Sequence, residues 1–296
     1  MNIGFIGLGN MGFWMAHNLQ KAGHDLHVND LDPARAQRLL DLGASWAPNL
    51  PLLAQQSEIV FTSLPGPPQV ERVLLGENGL LAAMQPGQTW IDLTTNSPEL
   101  VARIAALGAE RGIHTLEAPV TGAVDGAREG RLSLFVGGDP AVYEAMQPNF
   151  RPMGRTFHTG PIGTGNIAKL VTNLLWFIHA VAIGEGLVLG VRAGIDLENL
   201  WEIIKSSAGN SWVAEHDVPS IFAGHYDPTF SLDLCLKDLG LTMEAGKKMG
   251  VPLELGGLVE QIFERARDQF GGAAGELHVV KLLEEATGVP LQVPGY

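Results

Sequence analysis

The first 160 residues alternate short apolar runs with segments of helical periodicity. Runs such as Asn2–Ile6 and Glu58–Ser63 are rich in β-branched and aromatic residues and predict strands. Segments such as Gly12–Ala22 and Pro98–Arg111 repeat apolar residues at helical spacing and predict helices. This alternation predicts a doubly wound, mainly parallel sheet with helices on both faces. The remaining expected elements are the strands Asp25–Asp30, Gln88–Leu93, Ile113–Glu117, Leu132–Val136 and Thr156–His158, the last two at the sheet edge, and the helices Pro33–Leu42 and Pro68–Leu75.

The pattern changes after Pro161. One helical pattern without proline runs from Asn166 to about Ala193, and further helical segments follow with few β-rich runs between them. We therefore predict a Rossmann-type α/β domain over residues 1–161 and an all-helical domain over residues 162–296, which begins with a long interdomain helix. The later helices are expected near Leu197–Ser206, Ser211–Ile221, Leu234–Lys248, Glu254–Asp268 and Glu276–Thr287.

The composition narrows the class of protein. With 46% hydrophobic and 17% charged residues among 296, the chain is neither disordered nor a coiled coil. A formal net charge of −13 disfavours nucleic acid and anionic membranes as partners, although a small anion can still bind where the local charge allows. Cys235 is the single cysteine, so no intrachain disulfide can form, as suits a reducing compartment.

The most apolar stretch, Leu170–Gly190, contains Asn173 and Glu185, which a bilayer tolerates poorly. We interpret it as a buried helix. The N-terminus lacks a basic region and a cleavage site, so we expect no signal peptide. Together these features predict a cytoplasmic protein.

A glycine-rich loop follows the first strand and opens the first helix. Its spacing, Gly-x-Gly-x-x-Gly, is typical of dinucleotide binding, because it allows a tight turn, close backbone approach to a pyrophosphate, and close helix–strand packing. Asp30 ends the next strand, where a carboxylate can accept both hydroxyls of the adenosine ribose. The loop residues expected to contact the cofactor are Gly7, Leu8, Gly9, Asn10, Met11 and Gly12.

Asp30 also bears on the choice of cofactor. A carboxylate repels the 2′-phosphate of NADP, and the next residue, Leu31, cannot hold that phosphate. Arg35 and Arg38 in the following helix favour NADP instead, but we interpret them as part of a solvated helix face. We therefore expect NAD in preference to NADP.

Four segments of the chain, in order, resemble the β-hydroxyacid dehydrogenase family, which includes 3-hydroxyisobutyrate dehydrogenase. Gly4–Gly12 resembles its cofactor signature. The segment Glu117–Ala123, Glu-Ala-Pro-Val-Thr-Gly-Ala, is similar to its substrate loop, usually Asp-Ala-Pro-Val-Ser-Gly-Gly. Gly163–Asn173 resembles its catalytic helix, and Leu236–Leu239 its Lys-Asp-Leu segment. The substrate loop departs from the family pattern at Glu117, Thr121 and Ala123, and the stretch Gly271–His278 lacks the Asp-x-Ser that relatives often carry.

The resemblance implies roles for several residues. Lys169 would exchange a proton with the substrate hydroxyl, and Asn173, four positions on, would hold the substrate and orient the lysine. The pKa of free lysine is about 10.4, so a desolvated cleft beside the nicotinamide must lower it. A glycine turn with a hydroxyl can cradle a carboxylate. The residues expected to bind substrate are Thr121, Gly122, Ala123, Trp212 and Lys237, the last also reaching the cofactor and oriented by Asp238.

Further cofactor contacts are expected at the carboxyl ends of two strands. Leu64 and Pro65 follow one of these strands, and Thr95 follows the next. Thr94 is an alternative to Thr95, and either threonine could instead cap the helix that begins at Pro98. The nine histidines form no zinc motif, so we expect no metal.

These features predict an NAD-dependent enzyme that reversibly oxidises a small 3-hydroxy acid, similar to 3-hydroxyisobutyrate or serine, to its semialdehyde. Two alternatives remain open: an NADPH-preferring reductase of short semialdehydes or glyoxylate, and a non-catalytic dinucleotide-binding regulator. The joint presence of Lys169, Asn173 and Thr121–Gly122 argues against the regulator. The long apolar helix predicts a homodimer or homotetramer.

Overall fold

The computed structural model describes residues 1–296 and divides into two compact units, residues 1–169 and residues 170–296. The first unit contains a nine-stranded sheet with helices between its strands. Its strands are β1 Asn2–Ile6, β2 Asp25–Asn29, β3 Ser45–Trp46, β4 Ile59–Thr62, β5 Thr89–Asp92, β6 His114–Glu117, β7 Val120–Thr121, β8 Leu132–Gly138 and β9 Gly154–Gly160. Its helices are α1 Gly12–Lys21, α2 Gln37–Leu40, α3 Leu50–Gln55, α4 Pro67–Leu75, α5 Leu80–Ala83, α6 Pro98–Ala109, α7 Ala123–Glu129 and α8 Pro140–Phe150.

The strand order is β3-β2-β1-β4-β5-β6-β8-β7, with β9 paired to β8. All neighbours from β3 to β6 are parallel, β8 runs antiparallel to β6 and β7, and β9 is parallel to β8. The predicted doubly wound, mainly parallel sheet is thus confirmed. The strand order reverses at β1 and β4, the position where sheets of this kind bind ligands.

Both faces of the sheet are covered by helices. The central strands β4 and β5 are fully buried, as expected of parallel strands between two helical layers. Phe5 and Phe61 point into one apolar core, while Val60 and Trp90 point into the other. The loops at the carboxyl ends of β1, β4 and β5 are therefore held by a rigid scaffold.

The second unit is helical. It contains α9 Thr164–Arg192, which begins within the first unit, and then α10 Leu197–Lys205, α11 Val218–Phe222, α12 Leu232–Met249, α13 Glu254–Phe270 and α14 His278–Thr287. A short π-helix, Val213–Asp217, precedes α11. Phe177, Phe222 and Phe263 are fully buried in its core. By length and composition alone α9 could cross a membrane, and one such helix is weak evidence for a membrane span. Only a third of its most apolar window is buried, so the expectation of a buried helix over Leu170–Gly190 is wrong for much of that stretch.

Some elements differ from the sequence expectation. The helix expected over Pro33–Leu42 is a 3₁₀ turn, Pro33–Ala36, followed by one turn of α-helix. The short strands β3 and β7 were not expected from the sequence. The helices α3, α5, α7 and α8 were not expected either, and α8 carries Pro148 inside it.

Candidate active site

The glycine loop between β1 and α1 has three glycines in three different environments. Gly7 has a positive φ of 94°, and a Cβ there would lie 2.2 Å from the Ser63 carbonyl oxygen. A Cβ on Gly12 would lie 2.0 Å from the Gly7 carbonyl oxygen. A Cβ on Gly9 would meet only the Arg35 side chain, at 3.5 Å. Gly7 and Gly12 are therefore needed for packing, whereas Gly9 leaves open space that fits a pyrophosphate.

Asp30 is joined directly to this loop. The Leu8 N–H donates to Asp30 Oδ2 at 2.7 Å, and the Asp32 N–H donates to Asp30 Oδ1 at 2.9 Å. The half-buried carboxylate thus ties the end of β2 to the loop after β1. The structure brings these predicted cofactor residues together, and the open space at Gly9 and the nearby Asp30 carboxylate fit a dinucleotide.

The two arginines after β2 are both exposed, and each also makes a contact within the first unit. The Arg38 guanidinium lies 4.4 Å from the centre of the Phe13 ring and 5.2 Å from that of Trp14, so it stacks on α1. Arg35 extends toward Gly9, with its Nε 3.8 Å from Asp32 Oδ2. Both arginines are exposed, as expected of a solvated face, but the expectation did not include the position of Arg35 beside Gly9 of the cofactor loop.

The two threonines after β5 have different surroundings. Thr94 is buried, and its Oγ1 accepts a hydrogen bond from the Leu64 N–H at 3.0 Å, which joins the ends of β4 and β5. Thr95 is half-buried. Ser97 caps α6, since its Oγ accepts a hydrogen bond from the Leu100 N–H, so the alternative of a threonine cap is wrong.

A buried polar network that the sequence analysis did not anticipate lies beyond Thr94. Asp92 Oδ1 accepts a hydrogen bond from Thr62 Oγ1 at 2.8 Å, and Asp92 Oδ2 accepts one from Asn96 Nδ2 at 2.8 Å. The Asn96 N–H then donates to Asn166 Oδ1 at 2.7 Å. Burial raises the pKa of Asp92, while its hydrogen bonds oppose the shift. The network connects the ends of β4 and β5 to the first turn of α9.

Glu117, at the end of β6, completes this network from the other side. Its carboxylate is fully buried, accepts a hydrogen bond from the Gly165 N–H at 2.8 Å, and accepts another from Asn166 Nδ2. Burial raises the pKa of Glu117, and the hydrogen bonds from Asn166 and Gly165 counteract it. The half-buried Lys169 follows on the next turn of α9. The sequence had indicated only that a glutamate stands where relatives usually carry an aspartate.

The predicted substrate loop runs from β7 into α7. Thr121 is half-buried and pairs with Ser133 of β8. Gly122 has a φ of 125°, and Ala123 has a φ of 54°. The left-handed backbone at Ala123 is unusual for a residue with a side chain, and it falls where the resembling family carries glycine.

Three residues of the second unit form one polar cluster: Asn173, Lys237 and Asp238. Asn173 Nδ2 donates to Asp238 Oδ2 at 2.7 Å, and Lys237 Nζ lies 2.7 Å from Asp238 Oδ1. Asp238 is buried, so one carboxylate fixes both the amide and the ammonium group. The expected pairing of Lys237 with Asp238 is present, while the bond from Asp238 to Asn173 was missed.

Trp212 is not a core residue. Its side chain is 59% exposed and stacks on His216, with the ring centres 3.7 Å apart.

No group of three or more histidine, cysteine, aspartate or glutamate residues in the structure could hold a metal ion.

The sheet, the glycine loop and its carboxylate are those of a dinucleotide-binding protein. The family model described as the NAD binding domain of 6-phosphogluconate dehydrogenase matches residues 2–163. The model described as NAD-binding of NADP-dependent 3-hydroxyisobutyrate dehydrogenase matches residues 163–283.

Full-length relatives agree with these models. The chain is 39% identical to 2-(hydroxymethyl)glutarate dehydrogenase of Eubacterium barkeri, covering 98% of this chain and 97% of the relative. It is 36% identical to NAD-dependent L-serine dehydrogenase of Pseudomonas aeruginosa, covering 96% and 98%. The solved structure of Mycobacterium tuberculosis 3-hydroxyisobutyrate dehydrogenase with L-serine has a TM-score of 0.87 at 31% identity, covering 95% and 98%. The chain belongs to the β-hydroxyacid dehydrogenase family, whose members are NAD(P)-dependent oxidoreductases acting on the CH–OH group of hydroxy acids.

Proposed function

We propose that this enzyme reversibly oxidises a small 3-hydroxy acid to its semialdehyde, with NAD as the preferred cofactor and Lys169 as the general acid–base. The observation that carries the proposal is the glycine loop, which is tied to Asp30 by the Leu8 N–H and open only beside Gly9. In the same unit, a buried network anchors the first turn of the helix that carries Lys169.

The names of the relatives support a substrate class. Serine, 3-hydroxyisobutyrate and 2-(hydroxymethyl)glutarate all place a hydroxymethyl group on the carbon that bears a carboxylate. We propose this group as the part that the enzyme recognises. Thr121, Gly122 and Ala123 would bind the carboxylate through a hydroxyl and backbone N–H groups, while Trp212 and Lys237 would contact the remainder of the substrate.

The proposed chemistry assigns proton movement to the chain itself. A bound nicotinamide would supply the hydride acceptor or donor. In oxidation, the neutral amine of Lys169 takes the proton from the substrate hydroxyl, and in reduction the ammonium group returns it. Asn173, fixed by Asp238, would hold the substrate oxygen in line with this exchange.

The cofactor preference follows from Asp30. Its carboxylate disfavours a 2′-phosphate, although Arg35 beside Gly9 is a cation that could attract one. Cofactor contacts are also proposed for Leu64, Pro65, Thr95 and Lys237. If NADP is used more efficiently than NAD, Arg35→Ala should lower kcat/KM for NADP selectively, whereas Arg38→Ala, which removes a residue stacked on α1, should not.

Lys169→Ala tests the proposal. We expect kcat to fall by roughly 10²–10⁴-fold, the usual value of a positioned proton-transfer group, with little change in the affinity for NAD. Lys169→Arg should not restore turnover, because a guanidinium keeps its proton. Lys21→Ala, at an exposed position on α1, is the matched control. Near wild-type turnover in both Lys169 variants, measured with serine and 3-hydroxyisobutyrate, would exclude this role for the lysine.

The remaining assignments are proposals of the same kind. Residues 1–161 would bind the dinucleotide, and residues 162–296 would supply substrate and subunit contacts. We also propose a homodimer or homotetramer in the cytoplasm. A non-catalytic regulator would bind NAD but turn over none of the hydroxy acids.

A further inference from the structure

The buried carboxylate of Glu117 lies in a space that two glycines provide. A Cβ on Gly137 would lie 2.4 Å from Glu117 Oε1, and a Cβ on Gly165 would lie 2.4 Å from the Phe135 carbonyl oxygen and 3.2 Å from Glu117 Cγ. No side chain can therefore be added at either glycine without displacing the carboxylate or the backbone. The space closely fits the glutamate side chain, which is longer than the aspartate that relatives usually carry at this position.

Both oxygens of the Glu117 carboxylate accept hydrogen bonds from the start of α9. Oε1 accepts a hydrogen bond from the Gly165 N–H at 2.8 Å, and Oε2 accepts one from Asn166 Nδ2. Asn166 is itself fully buried, and its Oδ1 accepts from the Asn96 N–H at 2.7 Å. This chain of bonds fixes which way the Asn166 amide points, since Nδ2 faces one acceptor and Oδ1 faces one donor.

Lys169 is four residues beyond Gly165, on the same face of the helix and roughly 6 Å along its axis. We infer that Glu117 is a positioning residue: its carboxylate fixes the first turn of α9 and thereby the direction of Lys169. The inference rests on the proposed role of Lys169 as the general acid–base. Glu117 acts through the helix and exchanges no proton itself.

Glu117→Gln is the informative single variant. The new amide oxygen can still accept the Gly165 N–H, but the new NH₂ group faces Asn166 Nδ2, which is also a donor. If Asn166 rotates its amide to accept, its NH₂ group then faces the Asn96 N–H, so one bond is lost in either case. We expect kcat to fall about tenfold to 10²-fold, as for a small misplacement of a catalytic group, while the Kd for NAD and the KM for the hydroxy acid change less than about threefold.

The double variant Glu117→Gln, Asn166→Asp separates positioning from charge. The new carboxylate at position 166 accepts from both the new amide and the Asn96 N–H, so the bond between positions 117 and 166 is restored with donor and acceptor exchanged, and the bonds from the Gly165 and Asn96 N–H groups keep their direction. We expect kcat to recover to near the wild-type value. A folded double variant that stays as slow as Glu117→Gln would overturn the positioning role, since it would show that a carboxylate is needed at position 117. If Glu117→Gln alone does not fold, the double variant is compared directly with the wild type.

The second arm repeats Glu117→Gln in the Lys169→Ala background. If Glu117 acts through Lys169, the residual kcat should not fall further, whereas an equal additional loss would overturn the inference. Asp139→Ala removes the carboxylate that caps α8 and controls for a general loss of stability, with a lower Tm and unchanged kcat expected. Wild-type kcat in Glu117→Gln beside an impaired Lys169→Ala would overturn the positioning role only. Wild-type kcat in Lys169→Ala would overturn the proposed function.

Discussion

At the scale of single residues, backbone sterics give the three glycines of the cofactor loop different tolerances for a side chain. The sequence motif predicted a tight turn at Gly7 and close packing at Gly12, and the short distances to Ser63 and Gly7 carbonyl oxygens agree with both. The open side of Gly9 agrees with the third role, close approach of a ligand. The three glycines should therefore respond differently to the same substitution.

We predict that Gly9→Ala folds normally but binds NAD more weakly. Its Cβ meets only the flexible end of Arg35, at an ordinary contact distance, yet it occupies space beside the loop that the pyrophosphate needs. Gly7→Ala is the contrasting variant and should lower the Tm, because its φ of 94° and the Ser63 carbonyl oxygen both oppose a side chain. Thermal unfolding and fluorescence titration with NAD measure the two effects. Unchanged NAD affinity in Gly9→Ala would contradict the assignment of the loop.

Ala123 carries backbone strain in the proposed substrate loop. The left-handed conformation costs a residue with a Cβ roughly 1–2 kcal/mol, while glycine loses roughly 0.4–1 kcal/mol through its freer unfolded chain. We predict that Ala123→Gly raises the free energy of unfolding, by up to about 1.6 kcal/mol on these figures. Ala127→Gly, later in the same helix, is the control and should lower it. Urea unfolding distinguishes the signs, and a destabilised Ala123→Gly would show that the loop is unstrained.

At the scale of elements, the helices and strands with strong hydrophobic periodicity could be predicted from the sequence. Those that depend on residues distant in the sequence could not. The strands β1 and β4 and the helices α6 and α9 have clear patterns and lie close to their expected ranges. The helix α8 carries Pro148, a residue type that disfavours a helix interior, yet Asp139 caps its first turn by accepting the Ala141 and Val142 N–H groups. Short pieces such as β3 and α5 depend on neighbours distant in the sequence, which no local pattern reveals.

The same difference between local pattern and distant contacts explains which parts of the candidate site could be predicted from the sequence. The glycine loop and Asp30 belong to one local motif and could be predicted. The network of Asp92, Asn96 and Asn166 could not, because Asn96 and Asn166 are 70 positions apart, and the motif that contains Asn166 does not indicate which distant residue it contacts. Long-range hydrogen bonds of buried amides become visible only once the sheet order is known.

The π-helix Val213–Asp217 ends on an acid with a perturbed pKa. Burial raises the pKa of Asp217 to about 6, helped by the charge of Asp227 and opposed by the Trp176 hydrogen bond and His216. Because this pKa exceeds the unfolded value of about 3.9, the folded state binds more protons between about pH 4 and pH 6. This residue therefore lowers stability as the pH rises through that window.

We predict that Asp217→Asn raises the Tm at pH 7 and reduces the fall in unfolding free energy between about pH 4 and pH 6. The amide oxygen can still accept the Trp176 N–H, so only the ionisation is removed. Asp268→Asn, an exposed acid on α13, is the control and should leave the pH dependence unchanged. Denaturant unfolding at several pH values measures the effect, and curves parallel to the wild type would contradict it.

At the scale of the whole molecule, the net charge opposes association between copies of the chain, whereas the exposed apolar side chains favour it. The net charge of −13 keeps molecules apart at low salt, yet α9 exposes apolar side chains that water solvates poorly. Val171 and Leu175 are each 50% exposed and Leu189 is 73% exposed. At 100° per residue these three positions lie on one face of α9. A helix that is apolar on all sides is normally covered on all sides, so a second copy of this chain is the expected cover.

We predict a homodimer or homotetramer in sedimentation velocity experiments, and dissociation by Leu175→Glu combined with Leu189→Glu. Each substitution places a carboxylate on the exposed apolar face without altering the buried face of α9, so the protomer should stay folded. Leu42→Glu, at a position 59% exposed in the first unit, is the matched control and should keep the wild-type mass. Because α9 is also long enough to cross a membrane, flotation with anionic vesicles is measured in parallel, and the net negative charge predicts no binding. A wild-type monomer at all concentrations, or an unchanged mass in the double variant, would show that this face is not the subunit contact.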